Sequence, residues 1–153
     1  MLILAELGGR DRLVCEVCEF VHWDNPKPVT ATVVPTDSGI VLVKRKFEPY
    51  VGDWCLPGGF MEAREEPEES AQREVFEETG LKVEIDRLLG AFSPGKGINV
   101  LILIYLAKMA TGSMVAGDDA SEVATFRKDA LPANVAFELH RRMITAFFDG
   151  FRF

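Results

Sequence analysis

No apolar run in this sequence comes near the ~18 residues that a membrane-spanning helix needs. The longest, Val100 to Ala107, has the length of a strand. The opening Met1-Leu2-Ile3-Leu4-Ala5 lacks the basic lead-in of a secretory signal and soon meets charge. Cysteine is scarce. Cys15, Cys18 and Cys55 are an odd three, which argues against a disulfide framework and makes a reducing cytoplasm the expected compartment. Positive charge is short as well: 17 Lys and Arg against 24 Asp and Glu leave a net charge of −7. That sign argues against a nucleic-acid polymer as partner. A small phosphorylated ligand stays open, because a few metal ions and basic side chains reverse a local field. Repeats, low-complexity tracts and long linkers are also missing.

What remains is one ordinary domain of 153 residues, 48% apolar and 27% charged, with enough chain for a real core. Residues 1–28 read as irregular, with Cys15-Glu-Val-Cys18 and the turn-rich Asp24-Asn25-Pro26-Lys27-Pro28. β-Branched apolar runs bounded by turn residues predict strands at 29–34, 40–44, 83–85, 88–92, 99–107 and 123–126. Asp37-Ser38-Gly39 joins the first two as a hairpin. One helix begins near Pro67, which suits a first turn, and stops at Gly80, the usual left-handed terminator. A second is expected over 133–148, where Ala136, Leu139, Met143 and Phe147 recur at helical spacing. The fold class is α/β or α+β, a mixed sheet packed between helices.

The chemistry lies between Gly58 and Leu81. On a helix Glu74, Glu77 and Glu78 fall at i, i+3 and i+4, so all three project from one face. Alone this is unfavourable, since like charges at these spacings repel by a few tenths of a kcal/mol each. Two of them also sit at the negative end of the helix dipole. A hard dication held by carboxylate oxygens compensates. Arg73 supplies one positive charge, too little for three acids. Ala71 and Val75 form the opposite, packing face. Gly58-Gly59 lets the backbone approach closely, so that a carbonyl can join a metal shell. Most Glu-rich helices are simply solvated, and Glu66, Glu68 and Glu69 read that way: acids in a first turn, favoured by the dipole.

Gly59, five residues, Glu65, seven residues, then Arg73-Glu74-Val75-Phe76-Glu77-Glu78-Thr79-Gly80-Leu81 resembles the Nudix box, Gly-x5-Glu-x7-Arg-Glu-U-x-Glu-Glu-x-Gly-U, at every defined position, U being a bulky aliphatic residue. Such a motif is far more specific than a lone glycine-rich loop. The resemblance extends over roughly residues 13–148. It implies the Nudix fold and Mg²⁺- or Mn²⁺-dependent hydrolysis of a nucleoside diphosphate linked to another group. It also implies Glu74, Glu77, Glu78 and the Gly58 carbonyl as metal ligands, oriented by Glu65 and Arg73. For the general base it leaves two candidates: Glu122, in the later acidic segment that includes Asp118 and Asp119, and Glu74. Glu122 read by itself is equally a solvated loop acid.

The stretch from Asp118 to Arg141 resembles a subgroup acting on ADP-ribose or FAD, often with an N-terminal zinc ribbon, and residues 12–28 are similar to the second half of that ribbon. A structural zinc wants four ligands, whereas this chain offers one Cys-x-x-Cys pair. Residues 1–28 are therefore read as a ribbon remnant without zinc, ahead of a hydrolase domain at 29–153. Zinc shared by Cys15 and Cys18 of two chains is the alternative, and the family's frequent dimers are the only basis for expecting a homodimer. His22 is more readily an ordinary surface or core residue, and Cys55, beside Trp54 and Leu56, a packed core thiol. Phe47, Tyr50 and Phe126 can stack a base, and Lys44, Arg45, Lys46 or Lys96 can meet phosphates; each is as readily core packing or a solvated charge. Three competing readings stand beside a dinucleotide-like diphosphate substrate. They are a nucleoside triphosphate pyrophosphatase, a non-catalytic nucleotide sensor with this fold, and a ribbon-mediated adaptor.

Overall fold

The computed structural model describes residues 1–95, 97–117 and 119–151. Among these residues there are eleven strands, two α-helices and a short 3-10 turn at Lys128–Ala130. The central mixed sheet has β4 (Lys27–Val33) parallel to β10 (Val100–Ala107) in its middle. It is flanked by β8 (Gly58–Phe60) and β9 (Ile85–Phe92) in the order β8-β4-β10-β9. A second sheet orders β11 (Ala120–Phe126), β6 (Gly39–Arg45) and β5 (Pro35–Thr36), with β7 (Trp54–Cys55) also paired to β6. The α+β class read from the sequence holds, and its strands are divided among three sheets.

β6 explains the packing. Ile40 and Leu42 point into the main core with Leu56, Ile104, Met143 and Ile144, and Val41 turns to Val34, Val75 and Leu81 on the other side. Both faces are covered, which is why its sequence is a continuous apolar run rather than an alternation. Helix α1 (Pro67–Thr79) lies on that second side through Ala71 and Val75, the two positions expected to face the sheet, both fully buried. Its start is closed by the Glu69 carboxylate, which accepts the Glu66 N–H at 3.2 Å. At its end Gly80, at φ +71°, adopts the left-handed conformation and donates its N–H to the Phe76 carbonyl.

The structure corrects three local expectations. Residues 1–28 are not irregular: β1 (Leu2–Glu6), β2 (Asp11–Cys15) and β3 (Val21–His22) form an antiparallel sheet of their own. Gly8 and Gly9, both at positive φ, make the first of its turns, a hairpin signal that was present in the sequence. The strands expected at 83–85 and 88–92 are one strand, β9, and Lys82 bridges to Thr111 instead. Helix α2 (Glu138–Phe148) begins five residues later than 133. The reason is competition from a strand: the Trp54 N–H donates to the Asn134 carbonyl and Ala136 N–H to the Trp54 carbonyl, at 2.9 and 2.7 Å. That bridge holds 134–136 extended, so Ala136 is buried without being helical. Among the described residues no helix is long and apolar enough to cross a membrane.

Candidate active site

Three strands and one helix deliver the acidic groups to one place. β8 runs beside β4 with Gly58 opposite Ala31 and Gly59 opposite Thr30, and the chain then turns into α1. Thr30 and Ser70, both fully buried, share a hydrogen bond of 3.2 Å that pins the helix to β4. The face carrying Glu74, Glu77 and Glu78 then opens, with Asp119 from the turn just before β11, on a cavity of about 310 Å³.

Arg73 organises these acids. Its Nε and Nη2 donate to the two oxygens of Glu65 at 2.7 and 2.9 Å, a bidentate fork. Nη1 donates to Glu74 Oε1 at 2.7 Å and to Glu77 Oε2 at 2.9 Å, and Nη2 also reaches the Phe60 carbonyl. The hydrogen bond from Arg73, helped by the Glu62 N–H, pulls the Glu65 carboxyl down to about 2. Glu78 is different. It is buried, accepts the Gly58 N–H at 2.9 Å, and has its pKa pushed up to about 8, chiefly by desolvation and then by the charges of Glu74 and Asp119. Glu74 is raised too, again mostly by burial, against the pull of Arg73. Among the described residues no three carboxylate, imidazole or thiolate groups converge on one point, and Arg73 holds Glu74 and Glu77 on its guanidinium.

Gly59 is needed for its lack of a side chain. A Cβ there would stand 2.6 Å from the Glu74 carboxylate. Because the obstacle is the flexible end of a side chain, Gly59→Ala is expected to move the acid and spare the fold. Turnover should fall on the order of 100-fold, as for a misplacement of about 1 Å, with the melting temperature nearly unchanged. Calorimetric melting beside steady-state kinetics checks both halves.

A second cavity of about 210 Å³ adjoins the first and shares Glu78 and Asp119 with it. Arg45, Lys46, Phe47 and Phe60 line it. Arg45 donates through Nε to the Pro49 carbonyl at 2.6 Å and lies over the Phe137 ring at 5.0 Å. Tyr50 meets Phe137 edge-on at 5.1 Å. Phe126 packs on the core, edge-on to Trp54 at 4.7 Å, and lines neither cavity, so it takes the core-packing alternative.

Glu122 stands exposed on β11 opposite Lys44, its Oε1 accepting from Lys44 Nζ at 2.8 Å, and is not among the acids of the cavity. Asp119, three residues earlier, is the acid that lines it, and the sequence reading did not single it out. Its only signal was its place in the same acidic segment. Lys96 and Asp118 lie outside the described residues. Cys55 is the expected core thiol, buried and pushed up to about 12 by desolvation. Cys15 ends β2 and Cys18 sits in the turn after it, both as free thiols, and the N–H groups of Cys18 and Val17 lower the Cys15 pKa. His140, also buried, accepts the Leu56 N–H on Nδ1 and is held down to about 4 by burial, a neutral structural imidazole.

The NUDIX domain profile matches residues 26–147 of the sequence. The chain belongs to the NUDIX family. Its likeness to an ADP-ribose pyrophosphatase of Methanocaldococcus jannaschii is 37% identity over 123 residues, 78% of this chain and 72% of that one. The crystal structure of a NUDIX hydrolase from Nitrosomonas europaea superposes over 97% of this chain and 88% of its own, at a TM-score of 0.87 and 29% identity. A shorter match, 56% identical over 57 residues, links 37% of this Nudix chain to 35% of a bovine diphosphoinositol polyphosphate phosphohydrolase. The chain is thus a Nudix hydrolase with the Nudix fold.

Proposed function

We propose that this enzyme hydrolyses the pyrophosphate bond of a nucleoside diphosphate linked to another group, of the ADP-ribose or FAD type, and releases a nucleoside monophosphate. The observation that carries the reading is the cavity lined by Glu74, Glu77, Glu78 and Asp119, with one guanidinium held by Glu74 and Glu77. The donor set fits Mg²⁺ or Mn²⁺: all ligating atoms are hard oxygens, and the two most buried acids have pKa values raised by desolvation, which a dication held between them would offset. Glu74, Glu77 and Glu78 would hold the ion. When bound, it supplies charge against the diphosphate oxygens and makes hydroxide accessible at neutral pH.

The side chains do the rest. The Arg73–Glu65 fork fixes the orientation of Glu74 and Glu77. Glu74, a carboxylate whose burial raises its pKa and with it its affinity for a proton, is the base that takes the proton of the attacking water. Glu122, the other candidate, is engaged by Lys44 instead. Arg45 and Lys46 offer positive charge to the diphosphate from the adjoining cavity. Residues 1–28 we assign to an N-terminal unit and 29–153 to the hydrolase, a division supported by the separate β1–β3 sheet.

The test is a panel of ADP-ribose, FAD, NADH, dinucleoside polyphosphates and nucleoside triphosphates, assayed with Mg²⁺ and Mn²⁺ and with products identified by mass. Metal-dependent release of AMP by the wild type and its loss in Glu77→Gln are the expected results. Ligands that raise the melting temperature without turnover would overturn the enzyme reading and leave a sensor.

A further inference from the structure

Glu74, Glu77 and Glu78 are carried by α1, whereas Asp119, among the described residues lining the cavity, is the acid that comes from elsewhere in the chain. A segment beginning at Thr111 brings it there. Thr111 and Lys82 exchange N–H bonds, both of 2.9 Å, just past the end of α1. The chain then crosses the C-terminal end of the helix, where the last carbonyls have no partner within it. The Val115 N–H donates to the Thr79 carbonyl at 2.9 Å, and the Gly117 N–H to the Glu78 carbonyl at 3.1 Å. Residues 111–117 thus form a strap over the end of the helix that carries the glutamates.

Gly117 is the tightest point of that strap. A Cβ there would overlap the Glu77 carbonyl oxygen and stand 2.8 Å from its carbon and 3.4 Å from the Glu78 Cα. These are backbone atoms of α1, and they cannot swing aside as the Glu74 carboxylate can opposite Gly59. Any side chain at 117 therefore forces strap and helix apart. Downstream, the Ala120 N–H returns to the Gly117 carbonyl at 3.2 Å, and the Lys46 N–H donates to the Asp119 carbonyl, also at 3.2 Å. Asp119 is held between two anchors, Gly117 against the end of α1 and Lys46 just past β6.

We propose that Gly117 is a positioning residue for the carboxylate site: by admitting the strap against the Glu77 and Glu78 carbonyls, it sets Asp119 beside the three glutamates as a further oxygen donor to the dication. The proposal rests on the pyrophosphatase reading and deepens it. A hard dication takes about six or more oxygens, and α1 alone brings three side chains. A donor from outside the helix has to keep its place relative to them within about 0.5 Å. A bulkier residue at 117 lifts the strap, and Asp119, two positions on, moves with it while the glutamates stay on their helix.

The experiment is a double-mutant cycle on the whole chain, read by Mn²⁺ binding through the electron paramagnetic resonance of the free ion, which needs neither substrate nor turnover. Gly117→Ala is expected to weaken Mn²⁺ roughly 10-fold or more, the scale on which groups that orient metal ligands act. Asp119→Asn should weaken it at least as much. In the Asp119→Asn protein, where no carboxylate is left to displace, adding Gly117→Ala should change the affinity by no more than about 2-fold, the margin within which such cycles are read. Adding Asp119→Glu to Gly117→Ala should instead recover part of the loss, because the longer side chain reaches back. Metal-free melting temperatures report whether each variant folds. Should Gly117→Ala fail to fold, Val115→Pro takes its place in the cycle with the same expectation: it removes the bond to the Thr79 carbonyl and puts nothing against Glu77. Losses that multiply in the double variant would show that Gly117 acts through α1 or the fold at large, and would overturn the proposal. Wild-type affinity in either Gly117→Ala or Asp119→Asn would overturn it as well, even with turnover intact. The non-additive pattern in a protein that turns over no substrate would overturn the pyrophosphatase reading and leave the positioning role standing.

Discussion

Glu78→Gln abolishes turnover and at the same time stabilises the metal-free protein at alkaline pH. The two effects share one cause. The Glu78 carboxyl is buried, and desolvation, with the charges of Glu74 and Asp119 adding to it, raises its pKa to about 8 against an ordinary 4.5. Between those values the folded protein keeps a proton that the unfolded chain has lost. Stability therefore falls as pH rises from 4.5 to 8 and is level above that, a penalty on the order of 5 kcal/mol for this group. Glutamine has no charge to desolvate, and its carbonyl can still accept the Gly58 N–H that now meets the carboxylate at 2.9 Å. Urea unfolding of metal-free protein at pH 5 and pH 8.5 reads this directly: the wild type should weaken between them, the variant much less. Adding Mg²⁺ should restore the wild type at pH 8.5 and leave the variant where it was. Turnover should drop by more than the roughly 100-fold typical of changes outside the coordinating shell. Equal pH dependence in both proteins would show that Glu78 ionises without penalty and would remove the electrostatic case for a cation at this acid.

What the sequence made legible was whatever depends on local spacing. Pro67 and Gly80 bound α1 because a fixed φ and a left-handed C-cap are properties of single residues. Ala71 and Val75 face the sheet because four residues are about one turn. The acids of 74, 77 and 78 share a face for the same reason. What was not legible depends on pairing between distant strands. The choice between Asp119 and Glu122 turns on an irregularity in β11, where Ala120 is opposite Arg45 and Glu122 opposite Lys44, so that Ser121 is an extra residue in the ladder. Glu122 was singled out on the resemblance alone, and only the pairing of β11 with β6 shows that it stands opposite Lys44 while Asp119 lines the cavity. The late start of α2 is the same kind of case: its helical stripe is real, but Trp54 competes for residues 134–136 from 80 positions away.

Arg73→Lys keeps the charge at the centre of the acids and loses the geometry, and activity should follow the geometry. The guanidinium holds Glu65 with two parallel bonds while reaching Glu74, Glu77 and the Phe60 carbonyl. An ammonium is a point charge with three rotatable donors and cannot span all of these in one plane. The orientation of Glu74 and Glu77 is then released, and kcat/KM should fall roughly 10–100-fold at saturating metal. Arg73→Ala should fall at least as far and add an acid-side signature. In the wild type the fork holds Glu65 down to about 2, from an ordinary 4.5. A lowered carboxyl contributes stability that is fully present above pH 4.5 and is lost as pH falls toward 2. Without the guanidinium that contribution is gone, so the stability gap between wild type and Arg73→Ala should be widest at neutral pH and close steadily below pH 4.5. The pair of unfolding curves at pH 6 and pH 3 measures the gap at both ends. A gap that stays constant with pH would mean that the fork contributes packing rather than charge, and Glu65 could then no longer be credited with orienting the acids through Arg73.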